Sequence, residues 1–380
     1  MKIAILVYRL TGGGAERVAS LWATGFAGRG YDVSVIVGSD TKKDITYNIP
    51  DNVQLYSVGS DIRPLFLRNA IGKLGWLHAS KMHKLKRILH EINPDVIIGV
   101  LHPWAWEAYH VTKGMNIPII NTEHNSFERP ASAPLSKQQI IEKFEWNKYF
   151  DHVTVLTEAD KMVIGNQLNN VSVLPNPLTF EPLSFVPNKD KIILASGRLD
   201  AWYCKGFDIL IKAWGKIANK YPEWKLAIVG TGKKTSLSYL KSLSIQENIS
   251  SSQIDFLGFT NDIKSLYERS SIFVLSSRYE GFGMVLTEAM SQGCACIACD
   301  YKGRQREIIV NDSQGLICPV EDVDALAVAV ERMITDKKYR EECQSNAIER
   351  SKFYIIEKTM NRWEEMLKTI IIKERIKYKI

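Results

Sequence analysis

Two hydrophobic periods alternate along the chain, and the alternation runs through twice. Short apolar runs bounded by Gly, Pro or Asn read as buried strands. They stand at residues 2–8, 31–38, within 93–106, at 117–126, 151–157 and 171–176. Between them apolar residues recur every three or four positions, as a helix needs. Ala15, Val18, Ala19, Trp22 and Phe26 make one such stripe; Ile71, Leu74, Leu85, Ile88, Leu89 and Ile92 make a longer one. Pro175 and Pro177 then mark a break. Beyond it the pattern restarts with strands at 191–199, 226–232, from 254, and at 272–275. A helix beginning at Lys205 carries the stripe Phe207, Leu210, Ile211, Trp214 and Ile217, and another spans about 284–292. A further helix, capped near Thr260 or Asn261, is expected before residue 270, and helices near 336–351 and 355–370 follow. Strand–helix alternation in both halves predicts two α/β domains, each a doubly wound parallel sheet, facing across a cleft. The length of 380 residues agrees, being beyond the usual single-domain size.

Composition narrows the partners. The hydrophobic share of 45% suffices for two cores, and a net charge of +7 suits an anionic ligand or membrane surface. That charge is too diffuse to argue for nucleic acid. The apolar runs fall short of the ~18–20 residues of a membrane span, and MKIAILVYR reads as a first strand, so a cytoplasmic location is expected. The charge is concentrated in one place. From Ile62 to His90 there are seven basic residues (Arg63, Arg68, Lys73, Lys81, Lys84, Lys86, Arg87) and no acid. This segment, taken as 63–90, reads either as contact with an anionic membrane face or lipid-pyrophosphate acceptor, or as a core helix with a solvated basic back. Cys294, Cys296 and Cys299 spell C-x-C-x2-C, but in an apolar strand they read as buried thiols before they read as metal ligands.

The candidate chemistry centres on VLSSRYEGFGMVLTEAMSQ, residues 274–292. It is a strand, a Gly-rich turn and a helix start, where bare amides and the macrodipole favour an anion such as phosphate. Glu280 and Glu288 flank the turn with seven residues between them. Their α-carbons should lie about 10–12 Å apart, which suits the two ends of a long polyol such as a nucleotide sugar. Two solvated acids on a strand–loop–helix are the plainer alternative. Arg198 closes one strand and Lys205 opens the next helix, so two cations are placed to neutralise a leaving diphosphate. The first turn, Gly12 to Gly14, does not meet the dinucleotide pattern, because Arg17 stands where its third Gly belongs; Asp40 is the one acid placed for an NAD ribose. GTGKKT fails as an ATPase loop, with Ala227 and Lys234 at required Gly and Ser/Thr positions. Asp322 and Asp324 spell a DxD before an apolar helical run, where acids stabilise a helix start. His102, Trp104 and Trp106 follow a strand end in an aromatic loop, as acceptor-stacking residues or as core.

Glu280-x7-Glu288, with Gly281, Phe282 and Gly283 behind the first acid, resembles the motif of retaining glycosyltransferases of the GT-B fold, family 4. The resemblance runs over nearly the whole chain. It implies that Glu280 holds the donor sugar, Glu288 the nucleotide ribose, and Arg198 and Lys205 the diphosphate. It places Gly13, Gly14, Gly230 and Gly232 near the donor phosphates, Phe259 beside the base, and His124 of TEHN on the sugar ring. It further implies an N-terminal acceptor-side domain, 1–182, completed by a C-terminal helix at 358–380, and a nucleotide-sugar domain at 183–357. DAWYC lengthens the usual spacer before Lys205, and Lys302 replaces the first Gly of a family loop that keeps Gly303 and Glu307. The implied enzyme is metal-independent, needs no cofactor and is of hexosyltransferase type. It takes a sugar from a nucleotide donor, expected to be UDP-linked, to a hydroxyl of a glycan or lipid-linked glycan in cell-surface polysaccharide or glycoconjugate synthesis; on its membrane reading, the basic segment 63–90 adds a peripheral place on the inner membrane face. A nucleotide-sugar epimerase, a non-catalytic nucleotide-sugar binder and a dehydrogenase are the rivals.

Overall fold

A computed structural model describes residues 1–38, 45–59 and 76–377. Asp40, Arg63, Arg68, Ile71, Lys73 and Leu74 lie outside the described residues. The chain divides into two compact units. The first holds residues 1–128, 134–177 and 356–380; the second holds 129–133 and 178–355. The division thus falls at Pro177/Leu178 rather than at 182/183, and a short piece around Pro130 groups with the second unit.

In the first unit the described strands are β1 (Lys2–Val7), β2 (Asp32–Val37), β3 (Gln54–Ser57), β4 (Val96–Val100), β5 (Ile119–Thr122), β6 (His152–Val155) and β7 (Val171–Val173). All pair in parallel in the order β3-β2-β1-β4-β5-β6-β7. β1 and β4 are apolar almost throughout because helices cover both faces, which leaves no solvated side to alternate toward. The strand order reverses between β1 and β4, and ligand crevices in such sheets open at the carboxyl ends of those strands. The helix Gly14–Gly28 follows β1 directly and buries Val18, Trp22 and Phe26. The last helix, Ile356–Lys377, packs on it. Trp363 meets Trp22 edge-on at 4.9 Å, Gly25 leaves room for Met360, and Arg29 pairs with Glu364 at 3.0 Å.

The second unit repeats the plan with β8 (Asp190–Ser196), β9 (Lys225–Val229), β10 (Ile254–Gly258), β11 (Ser270–Leu275), β12 (Ala295–Asp300) and β13 (Gly315–Pro319). Their order is β10-β9-β8-β11-β12-β13, again parallel, with the reversal between β8 and β11. The helix Phe207–Ile217 buries the whole expected stripe, Phe207, Leu210, Ile211, Trp214 and Ile217, in the core over this sheet. Asp262, not Thr260 or Asn261, caps the helix Ile263–Arg269 by accepting from the Ser265 amide at 3.2 Å. Asp322 likewise accepts from the Ala325 amide and Asp324 pairs with Lys216, so the DxD is a helix start. Cys294, Cys296 and Cys299 are buried free thiols; burial pushes Cys294 up to about 11 and Cys299 up to about 12.

Candidate active site

The best-defined group of expected site residues lies at the reversal of the second sheet. β8 ends at Ser196, and Gly197 and Arg198 follow; a short helix, Trp202–Lys205, fills the DAWYC spacer. β11 ends at Leu275, and the turn 276–283 leads into the helix Met284–Ser291. Gly206 joins these two loops. Its φ of +61° is left-handed, and a Cβ there would stand 1.9 Å from the Ser276 carbonyl oxygen. Ser276 Oγ donates to the Lys205 carbonyl at 2.9 Å, and the Arg278 amide donates to the Cys204 carbonyl at 2.8 Å. Pinned in this way, Lys205 Nζ reaches Glu280 Oε1 at 2.6 Å, and Ser277 Oγ donates to the same oxygen at 2.7 Å. Burial alone would lower the Lys205 pKa, but the attraction of Glu280 outweighs it and the ammonium is held above its ordinary value.

The Lys205 stem passes over Gly197, whose absent side chain makes room for it. Gly230, at the end of β9, faces the Gly197 carbonyl so closely that a Cβ would come to 1.8 Å of it, and a Cβ on Gly232 would come to 2.7 Å of Leu199. Both glycines therefore let the β8 and β9 loops touch. Arg198 is exposed and makes no ion pair among the described residues. Gly283, at φ +94°, precedes the helix Met284–Ser291, and no side chain caps that start.

Glu288 is only 3% exposed. Thr179 Oγ1 donates to one of its oxygens at 2.6 Å and Tyr267 donates to the other at 3.3 Å. Burial and the carboxylate raise the Tyr267 phenol well above its ordinary value, so it stays a donor. Ser196 Oγ lies 3.1 Å from that phenol, so the Ser196 proton is the one shared between them. Both acids are tied to the end of β8: Glu288 through Tyr267 and Ser196, Glu280 through Lys205 over Gly197.

Arg278 organises the turn from behind. Its guanidinium binds both oxygens of Asp208 at 2.8 Å, takes Glu321 at 2.7 Å, and lies 4.0 Å from the centre of the Tyr203 ring. Nothing in the sequence pattern marks this partner set, since Asp208 lies seventy residues away. Thr179, Ser196, Tyr267 and Ser277 were likewise not legible, being ordinary strand-end, loop and helix residues until folded together.

Several expected residues are placed differently. Phe282 is 4% exposed and meets Tyr354 edge-on at 5.5 Å, so its ring packs into the core. Phe259 is 70% exposed just past β10, open to a ligand. In the first unit, residues 102–111 form a helix and not an aromatic loop. Its inward face buries His102 against Trp146 at 4.7 Å, and Trp104 over Gly38, so neither offers a ring to an acceptor. Trp106 is half-buried and stacks flat on Trp146 at 4.5 Å. Gly13 precedes the helix Gly14–Gly28, and its carbonyl accepts from Tyr47 at 2.9 Å. His124 sits just past β5, its Nε2 3.1 Å from Thr122 Oγ1, and burial lowers its pKa to about 4. In the family loop Lys302 takes a left-handed φ of +53°, the backbone that a Gly would occupy more readily.

Both units are parallel α/β sheets, and the second carries a cation–carboxylate pair at its strand reversal, where such sheets bind ligands. Two family models match consecutive halves of the chain: Glycosyltransferase Family 4 over residues 12–181 and Glycosyl transferases group 1 over 181–350. The chain belongs to this glycosyltransferase family and has the GT-B fold. An uncharacterized glycosyltransferase of Haemophilus influenzae is 28% identical over 96% of this chain and 99% of its own length. A Campylobacter jejuni protein is 26% identical over 97% of this chain and 98% of its own. It is named GalNAc-alpha-(1->4)-GalNAc-alpha-(1->3)-diNAcBac-PP-undecaprenol alpha-1,4-N-acetyl-D-galactosaminyltransferase. Among solved structures, sucrose-phosphate synthase of Thermosynechococcus elongatus aligns with a TM-score of 0.79 at 20% identity, over 97% of this chain and 99% of that one. Anabaena HepE in complex with UDP and glucose aligns at 0.76 and 20%, with the same coverage. The protein is a glycosyltransferase. Among the described residues no helix is long and apolar enough to cross a membrane.

Proposed function

We propose that the protein transfers a hexosyl unit, with retention of anomeric configuration, from a UDP-sugar to a hydroxyl of a glycan or lipid-linked glycan in surface polysaccharide or glycoconjugate synthesis. The observation that carries this reading is the Lys205–Glu280 pair at 2.6 Å, set beside an uncapped helix start at the strand reversal. Arg198, Lys205 and the amides at Met284 stabilise the departing diphosphate. Glu280 orients the sugar and Glu288 the ribose. His124 is assigned to the sugar by the family resemblance. The bond from C1 to the phosphate oxygen breaks as the acceptor oxygen bonds C1 on the same face, and the acceptor proton passes to the departing phosphate. The reading includes no cofactor; the charge that a metal would neutralise falls to the two cations. A lipid-linked acceptor is supported by the name of the Campylobacter relative and by the exposed His83, Lys86 and Arg87 on the helix Trp76–Ile92, which also suit the inner membrane face.

The test is product analysis. The protein is incubated with a panel of nucleotide sugars and glycan acceptors, and the anomeric proton coupling of the product is measured. An α-linked donor should give an α-linked product. A β-linked product would overturn retention, and an altered nucleotide sugar formed without acceptor would favour an epimerase.

A further inference from the structure

Residues Ile141–Glu145 form a π-helical turn between the short helix Lys137–Ile140 and a 3-10 turn, Trp146–Tyr149. Such turns are rare and frequently stand at functional sites. This one carries Lys143, whose side chain is 6% exposed and whose Nζ lies 4.2 Å from the centre of the Phe127 ring. Nζ donates to Glu123 Oε2 at 2.8 Å and to the Asn125 carbonyl at 3.0 Å. Those two residues stand immediately before and after His124. The other Glu123 oxygen accepts from Asn121 at 3.2 Å and from Asn147 at 3.3 Å, and Asn147 returns a bond to the Lys143 carbonyl. One buried lysine thus holds both neighbours of the histidine.

A buried ion pair is a weak source of stability, because desolvation of both charges offsets much of their attraction. An apolar pair of similar volume would pack as well, so the pair points to something beyond packing. The ring between its two anchors is unusually well specified. Thr122 Oγ1 gives its one proton to the Gly99 carbonyl at 3.0 Å, so toward His124 Nε2 the hydroxyl can only accept. That places the imidazole proton on Nε2 and the lone pair on Nδ1. Nδ1 is buried and finds no partner among the described residues. A buried acceptor left in this state is costly unless a ligand donor satisfies it.

We infer that Lys143 is a positioning residue: through the Glu123 carboxylate and the Asn125 carbonyl it fixes the loop that offers the His124 Nδ1 lone pair to a ligand hydroxyl. The inference rests on the glycosyl-transfer reading above. It is tested with Glu123→Gln paired with Lys143→Met, which removes both charges and keeps the volume. Nitrogen-15 spectra of the imidazole should show one Nε2–H tautomer in the unaltered chain and a tautomer mixture in the variant. The milder Lys143→Arg, which keeps the charge and displaces the donor, should shift the ring the same way should the pair fail to fold. In the paired variant kcat should fall about 10- to 100-fold, with nucleoside diphosphate affinity unchanged. Adding His124→Ala should then cost nothing more than His124→Ala alone. A single unchanged tautomer in the variants, losses that multiply, or a His124→Ala chain with unaltered kcat would each overturn the inference. Absence of transfer by the unaltered chain with every nucleotide sugar would instead overturn the functional reading, while the tautomer would still report on Lys143.

Discussion

Removing the two cations at the end of β8, Arg198→Ala together with Lys205→Ala, should lower kcat for sugar transfer by about a thousandfold or more. In the proposed mechanism charge develops on the departing diphosphate as the glycosidic bond breaks, and these two side chains are the groups assigned to meet it. The effect should appear in kcat more than in acceptor KM, since the interaction strengthens as the transition state forms. Folding should survive. Arg198 is exposed and makes no ion pair among the described residues, and Lys205 leaves behind a Glu280 that still accepts from Ser277. Steady-state kinetics beside a melting curve separate the two outcomes. Transfer at the original rate in a folded double variant would remove the assigned roles.

Arg278→Met should have the largest effect on stability, costing about 3–5 kcal/mol. The substitution strands Asp208, which is 6% exposed and takes both of its bonds from the guanidinium, and it also releases Glu321. For a unit of this size that corresponds to a melting temperature about 10 °C lower. Replacing Asp208 by Leu in the same chain should restore much of the loss, because the stranded carboxylate is then gone. If Arg278→Met melts within 2 °C or so of the original, on the scale set by domain size, the guanidinium does not hold the turn.

The sequence was most readable where one physical cause acts locally. Period alone places the buried stripe Phe207 to Ile217 and the apolar strands β1, β4 and β11, because helices on both faces leave no other option. It also places the turn between Glu280 and Glu288, since a strand, two glycines and an apolar helix can connect in few ways. What the pattern could not show is which distant residue answers a charge. Asp208 behind Arg278, Tyr267 and Thr179 on Glu288, and Lys143 on Glu123 are all set by tertiary folding. Burial also misled in both directions. Trp104 and His102 look like ligand aromatics until the helix 102–111 turns them inward, and Phe282 sits inside the motif yet serves the core. Phe259 and Phe282 are equally apolar in sequence, and only folding separates the exposed ring from the buried one.

The central claim is that one nucleotide sugar is held by two acids with separate duties, and calorimetric titration tests it most directly. A panel of nucleoside diphosphates and their sugars is titrated into the unaltered chain, Glu288→Gln and Glu280→Gln. Glu288→Gln should weaken the bare diphosphate and the sugar nucleotide alike by about tenfold, or 1.4 kcal/mol. Glu280→Gln should weaken only the sugar nucleotide. Equal affinities in all three chains, or no binding of any nucleotide to the unaltered one, would contradict the account.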